Sequence, residues 1–195
     1  MLRWKICRLI GVIAITVSLG SPTVVNASDP EVERMVHKAV HDGFERLAKE
    51  GDAYAQFELG ALYYQGEGIL QDYQKAAHWW RNAAQQGHVD AQYSLAVLYH
   101  GGKGVPQNSR KAATLYLKAA EKGHAFAQNN LGFLYRDGDG VPQDYVKAHM
   151  WWNLAASTGD SDAAEVRDRL ARRMTSDQIA EAQSLAREWF REYNK

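Results

Sequence analysis

Cysteine is almost missing from this chain. Its only example among 195 residues is Cys7, which sits in a segment that reads as an export signal. Beyond it no disulfide, thiol nucleophile or cysteine-based metal site can be built. Cys7 also lacks the preceding apolar-small-small run that marks a lipoprotein attachment site. An excess charge is missing too: 23 basic residues cancel 23 acidic ones. That balance excludes nucleic-acid binding by bulk charge and disorder driven by self-repulsion. The N-terminal apolar run, Leu9–Leu19, has 11 residues, short of the roughly 18–20 that span a bilayer. Catalytic signatures are absent as well. There is no Gly-x-Ser-x-Gly and no His-Glu-x-x-His, and the Gly-x-Gly segments lack the Lys-Ser/Thr pair of a phosphate loop.

What is present begins with an address. Arg3, Lys5 and Arg8 precede the apolar run, and a short polar stretch ends in the small residues Val25-Asn26-Ala27. This is the layout of a cleavable signal peptide, residues 1–27, with the cut after Ala27. It predicts a periplasmic or secreted product that keeps no stable membrane insertion. The remaining residues carry 20 basic and 23 acidic groups, a formal −3. Without disulfides this product must hold together by packing, and about 170 residues suffice for one compact domain.

The segments 51–86, 87–122 and 123–158 align without a gap at a period of 36, with 13 columns identical in all three. Each unit reads as two helices. In the first, Ala55, Leu59, Leu62 and Tyr63 share one apolar face at the helical period. Gly60, Ala96 and Gly132 occupy one column, where a small residue permits a close helix crossing. The second helix is predicted over about 72–85, with Ala76, Trp79, Trp80, Ala83 and Ala84 buried. Between them lie Gly66/Gly68, Gly102/Gly104 and Gly138/Gly140, followed by Pro106 and Pro142 in two units. Glycine ends the first helix and proline stops it continuing.

One such pair cannot bury its apolar face, so stacking and end caps are required. Residues 28–50 predict an N-terminal capping helix in which Ala39, Val40, Phe44, Leu47 and Ala48 fall near the columns of Ala76, Ala77, Trp80, Ala83 and Ala84. Residues 159–195 predict a degenerate first helix over 162–173 and a final helix. The final helix opens on the capping box Thr175–Gln178, and its stripe is Ile179, Ala182, Ala186, Trp189 and Tyr193.

The pattern Ala55, Leu59, Gly60, Tyr63, Gly66, Gly68, Gln71, Asp72, Lys75, Ala76, Trp79, Ala83, Ala84 resembles the Sel-one-like repeat family, a cousin of the tetratricopeptide repeat. The resemblance covers residues 51–158 closely and the tail weakly. It implies an all-α fold, a right-handed α/α superhelix that scaffolds protein complexes, and many bacterial members are exported. Secreted members that handle β-lactams are rich in paired cysteines, so this chain departs from that branch.

An interaction surface is expected where the repeats differ. Those columns are Tyr54/Asp90/Phe126, Phe57/Tyr93/Asn129, Ala61/Val97/Phe133 and Tyr64/His100/Arg136, at i, i+3, i+7 and i+10 on the first helix. First helices line the concave side of such stacks, so the stripe predicts a groove for a protein or peptide partner. Aromatic residues with an occasional Arg suit such contacts.

Other polar groups carry blander readings. His37 and His41 are at i, i+4, a spacing that can hold a metal, but no further ligand joins them by motif, and no metal or cofactor is assigned. His88 and His124 share the helix-start column of Asp52 and Asp160 and read as caps. His149 replaces Ala77 and Ala113 and reads as a packed histidine with one nitrogen satisfied. Asp137 and Asp139 lack the regular acidic spacing of a calcium loop. Arg167, Arg169, Arg172 and Arg173 alternate with acids as a solvated face. The expectation is therefore an exported, monomeric, non-enzymatic scaffold that binds no nucleic acid. A small-molecule binder or a hydrolase acting on cell-wall material is the alternative.

Overall fold

The computed structural model describes residues 29–193, so the signal segment and Cys7 lie outside it. Nine helices and no strand occur among the described residues. They are α1 (Pro30–Lys49), α2 (Ala53–Gln65), α3 (Tyr73–Gln85), α4 (Val89–Gly101), α5 (Ser109–Ala120), α6 (Ala125–Asp137), α7 (Tyr145–Ser157), α8 (Ser161–Ala171) and α9 (Ser176–Tyr193). From α1 to α8 each helix packs on the next, and α9 packs chiefly on α7. The result is an α/α solenoid of helix-turn-helix units.

Every junction is punctuated by side chains that the period places there. Asp52, His88, His124 and Asp160 accept a hydrogen bond from the third amide onward and so open α2, α4, α6 and α8. Asp72, Asn108 and Asp144 do the same for α3, α5 and α7. Such caps satisfy amides that have no partner within the helix. Gly66, Gly102 and Gly138 end the first helices at φ 74°, 66° and 73°. The second glycine of each turn has another purpose. A Cβ on Gly104 or Gly140 would lie 2.3 Å from the backbone of Tyr73 or Ser109. The turn is therefore seated directly on the start of the preceding unit's second helix.

A buried glutamine ties each unit to the one before. Gln56, Gln92 and Gln128 donate from Nε2 to the carbonyls of Ala48, Ala84 and Ala120 at 3.1, 3.2 and 3.2 Å. These carbonyls lie at the ends of the preceding helices, where no intrahelical donor exists.

Alanines dominate the interior: Ala76, Ala83, Ala112, Ala119, Ala148 and Ala155 are all fully buried. They let backbones approach, and large rings fill the remaining space: Trp80 in the first unit, Tyr116 in the second, Trp151 and Trp152 in the third. Trp80 and Trp152 lie across Gly60 and Gly132, and their indoles donate to the carbonyls of Phe57 and Asn129 at 3.0 and 3.1 Å. The middle unit pairs Tyr116 with Ala96, both buried. Ala77 joins this interior, while Trp79 and Ala84, expected there, are only half-buried.

The ends differ from expectation in detail. In α1, Val40, Phe44 and Ala48 pack on α2, but Ala39 and Leu47 stay exposed because a terminal helix has one neighbour instead of two. In α9, the capping box forms as expected: Gln178 donates to Thr175 Oγ1 at 3.2 Å, and Thr175 donates back to Gln178 Oε1 at 3.0 Å. Ala182, Ala186, Leu185, Trp189 and Phe190 join a core shared with α5, α6 and α7. Tyr193 does not; it stacks on Trp189 at 4.5 Å and donates to the Lys122 carbonyl at 3.3 Å. So α9 folds back over α7 and reaches the junction between the second and third units.

Candidate interaction surface

The variable stripe of α2, α4 and α6 separates into two layers. Tyr54 and Phe126 are 59% and 65% exposed, and Asp90 and His100 are exposed beside them. Phe57, Tyr64, Tyr93, Asn129, Phe133 and Arg136 are half-buried, because each also packs against its own or the next unit.

That second layer is built on the helix caps. Nδ1 of His88 accepts from the Ala91 amide at 3.3 Å, and Nδ1 of His124 accepts from Ala127 at 3.1 Å. An accepting Nδ1 places the proton of the neutral ring on Nε2. Held this way, His88 stacks on Phe57 at 4.7 Å and His124 on Tyr93 at 4.5 Å. His124 Nε2 points to the Asp90 carboxylate at 3.4 Å. Burial pushes the His124 imidazole below its ordinary value, and Asp90 opposes the shift only in part. Phe126 adds a ring 6.2 Å from Tyr93. In the third unit the stack is replaced by a hydrogen bond, Asn129 Nδ2 to Asp160 Oδ2 at 3.4 Å.

At the other end of the stripe, Tyr64 lies 5.3 Å from both Tyr73 and Trp80. Phe133 meets Trp152 edge-on at 5.1 Å, and the Arg136 guanidinium covers the Phe133 ring at 4.9 Å. Arg136 donates twice to Asp137 at 2.6 Å, holding that carboxyl below the usual carboxylate range. His100 lies 3.2 Å from Asp139. The surface therefore offers ring faces and charges already paired within the chain. Its two stacked imidazoles accept from helix amides through Nδ1 and so hold the rings beside them in place.

Sequence reasoning placed His88 and His124 at helix starts and missed their stacking. A signal exists: the columns Phe57/Tyr93/Asn129 and His88/His124/Asp160, 31 residues apart, change together from aromatic-histidine to Asn-Asp. The i, i+4 histidines of α1 do not converge. His37 packs on Gly68, whereas His41 faces the Tyr63 hydroxyl at 3.3 Å. His41, Asp42 and Glu45 do come within 4.8 Å of one another, yet Asp42 is bonded by Lys38 and Glu45 by Lys49. Among the four arginines near residue 170, Arg167 departs from the solvated face and turns toward α7, donating to Asn153 Oδ1 at 3.0 Å.

The helical stack with glycine-seated turns has its counterpart in known proteins. The Sel1 repeat pattern matches residues 53–88, 89–124 and 125–160. The chain belongs to the Sel1 repeat family. The matched bounds begin two residues after Gly51, at the same period. Among solved structures, c5321 of uropathogenic Escherichia coli, a protective antigen displaying an SLR fold, is 26% identical with a TM-score of 0.67. The match covers 86% of this chain but only 38% of that protein's length. A Sel1 repeat protein from Oxalobacter formigenes is 35% identical with a TM-score of 0.60, covering 65% of this chain and 96% of that one. Helicobacter pylori cysteine rich protein B, 19% identical with a TM-score of 0.55 over 72% of this chain and 99% of that one, shares the fold. Comparison with curated proteins found no match. Sel1 repeats commonly form scaffolds for protein-protein interaction. Among the described residues no helix is long and apolar enough to cross a membrane.

Proposed function

We propose that this Sel1 repeat protein is an exported, non-enzymatic adaptor that binds a protein or peptide along the first-helix stripe. The observation that carries the reading is the pair of exposed rings, Tyr54 and Phe126, two units apart on one column and backed by the His-aromatic stacks. Large rings left in water beside a rigid support are what interface anchors require, because little side-chain entropy is lost on binding. Export rests on the basic and apolar pattern of residues 1–19 and the small residues before Ser28.

The test is crosslinking and affinity capture of the mature chain from its own compartment, beside the double variant Tyr54→Ala/Phe126→Ala. These positions are preferable to Tyr93 and Phe133, whose truncation would also disturb packing. Partners captured by the native chain should be lost, roughly tenfold or more, from the variant. Equal capture by a folded variant removes the stripe from the interface. N-terminal sequencing of the same material checks export, since a chain still beginning at Met1 ends that part of the proposal.

A further inference from the structure

The solenoid carries a second candidate site, away from the first-helix stripe, where the repeat breaks down. Between α7, α8 and α9 lies an open cleft of about 410 Å³, within the range of small-ligand sites. It exists because the last unit has no Gly-x-Gly turn and no second helix in register, so α9 returns over α7 and leaves a gap beside α8. Its walls include His149 and Asn153 from α7, Arg167 and the carboxylate Asp168 from α8, and Ile179, Gln183 and Arg187 from α9.

Three features mark this as a ligand site rather than a packing fault. First, His149 is only 4% exposed, and its Nδ1 has no hydrogen-bond partner. The sequence reads as a packed histidine with one nitrogen satisfied; the ring is packed, but neither nitrogen is hydrogen-bonded among the described residues. At this column the first two units carry Ala77 and Ala113, both buried without any polar group. An alanine would avoid leaving a buried nitrogen unpaired, an arrangement that folded chains rarely tolerate without a use. Second, two guanidinium groups and two carboxamides line one space that holds a single carboxylate, Asp168. Third, the charges do not cancel. Arg167 shares Asp168 at 2.7 Å and Asn153 at 3.0 Å, whereas Arg187 has no carboxylate partner among the described residues. One cation, the exposed Arg187, is left over near the apolar side chains of Ala171 and Ile179.

We infer that this cleft binds a small monoanion: a carboxylate on an apolar body, held by Arg187 and the donors around His149. A single uncompensated cation fits one carboxylate better than a multiply charged phosphate, and the planar fork of a guanidinium matches carboxylate geometry. Burial and the nearby Arg167 charge hold the His149 imidazole below its ordinary value, so the ring is neutral at pH 7 and keeps one N–H to donate.

The experiment is titration calorimetry of the full mature chain with N-acetyl-leucine, with a tetrapeptide ending in a free leucine carboxylate, with N-acetyl-leucinamide and with inorganic phosphate. The two carboxylates should bind saturably with Kd of about 1 mM or tighter, and the amide should not. Tighter capture of the tetrapeptide identifies a chain terminus as the source, and equal capture a free acid; both support the site. His149→Ala, which restores the residue of the other units, and Arg187→Gln, a surface change, should each weaken binding about tenfold or more. If His149→Ala fails to fold, Arg187→Gln decides alone. The inference is overturned by absence of saturable carboxylate binding, by unchanged affinity in the folded variants, or by phosphate or the amide binding as well as the acids.

Discussion

The first and third units close around a tryptophan, and the second closes around a tyrosine. Trp80 and Trp152 each sit where the facing helix has a glycine, and an added Cβ would come within 2.4 Å of Trp80 or 2.3 Å of Trp152. Tyr116 faces Ala96 instead. The larger ring thus goes with the smaller partner, and the indole also gains a carbonyl acceptor on the first helix that Gly60 or Gly132 brings near. The phenol of Tyr116 is deeply buried, which pushes its ionisation upward. Two chemically different closures occupy one column of a single repeat, and each works only with its own partner across the helix crossing.

The strongest way to break this picture is to remove a ring. Trp152→Ala empties a fully buried site and removes the indole hydrogen bond to the Asn129 carbonyl, so a loss of about 3–5 kcal/mol is expected in denaturant unfolding. A loss below about 1 kcal/mol would mean that the indole does not organise the unit.

A smaller and sharper effect should come from Gly132→Ala. Alanine is the better helix former by about 1 kcal/mol, yet its methyl must displace a rigid indole. Overpacking costs of about 1–3 kcal/mol, with loss of the Trp152 hydrogen bond, should leave the variant less stable by about 1–2 kcal/mol. Adding Trp152→Tyr, which copies the Ala96–Tyr116 pair, should recover much of that loss in the same measurement. Failure of the rescue would show that the two closures are not interchangeable.

The smallest effect separates the caps. Asp52 and Asp160 cap with carboxylates, whereas His88 and His124 cap with an accepting imidazole nitrogen. In the unfolded chain the His124 ring titrates near its ordinary value of 6.5, and burial holds it lower in the folded chain. As the pH falls, the unfolded state therefore takes up the proton first, and stability declines below about 6.5. His124→Asp should flatten this decline in melting temperature between pH 7 and pH 5. An unchanged slope would place the acid sensitivity elsewhere.

Much of this architecture was legible before any coordinates. The period of 36, the caps in the column of Asp52, and the glycine turns all follow from relations within a few residues, which helical geometry converts into contacts. The candidate stripe was legible as a face, because variable columns at i, i+3, i+7 and i+10 must share one. Its depth was not. Phe57 and Tyr93 depend on rings 31 residues further along the chain, and only the spacing between stacked units brings them together. The fold-back of α9 was equally hidden, since the apolar pattern of Ala182, Ala186 and Trp189 says that a helix buries a face without naming what it meets.

By itself, then, the sequence determined the kind of helix, where each begins and ends, and that units must stack, because these depend on local backbone chemistry and a repeated apolar period. Tertiary structure alone decided which rings stay in water, that α9 closes over α7, and that His149 borders an open cleft instead of a packed seam. Those outcomes depend on distances between residues far apart in the chain, and at the broken last unit no repeat remains from which to read them.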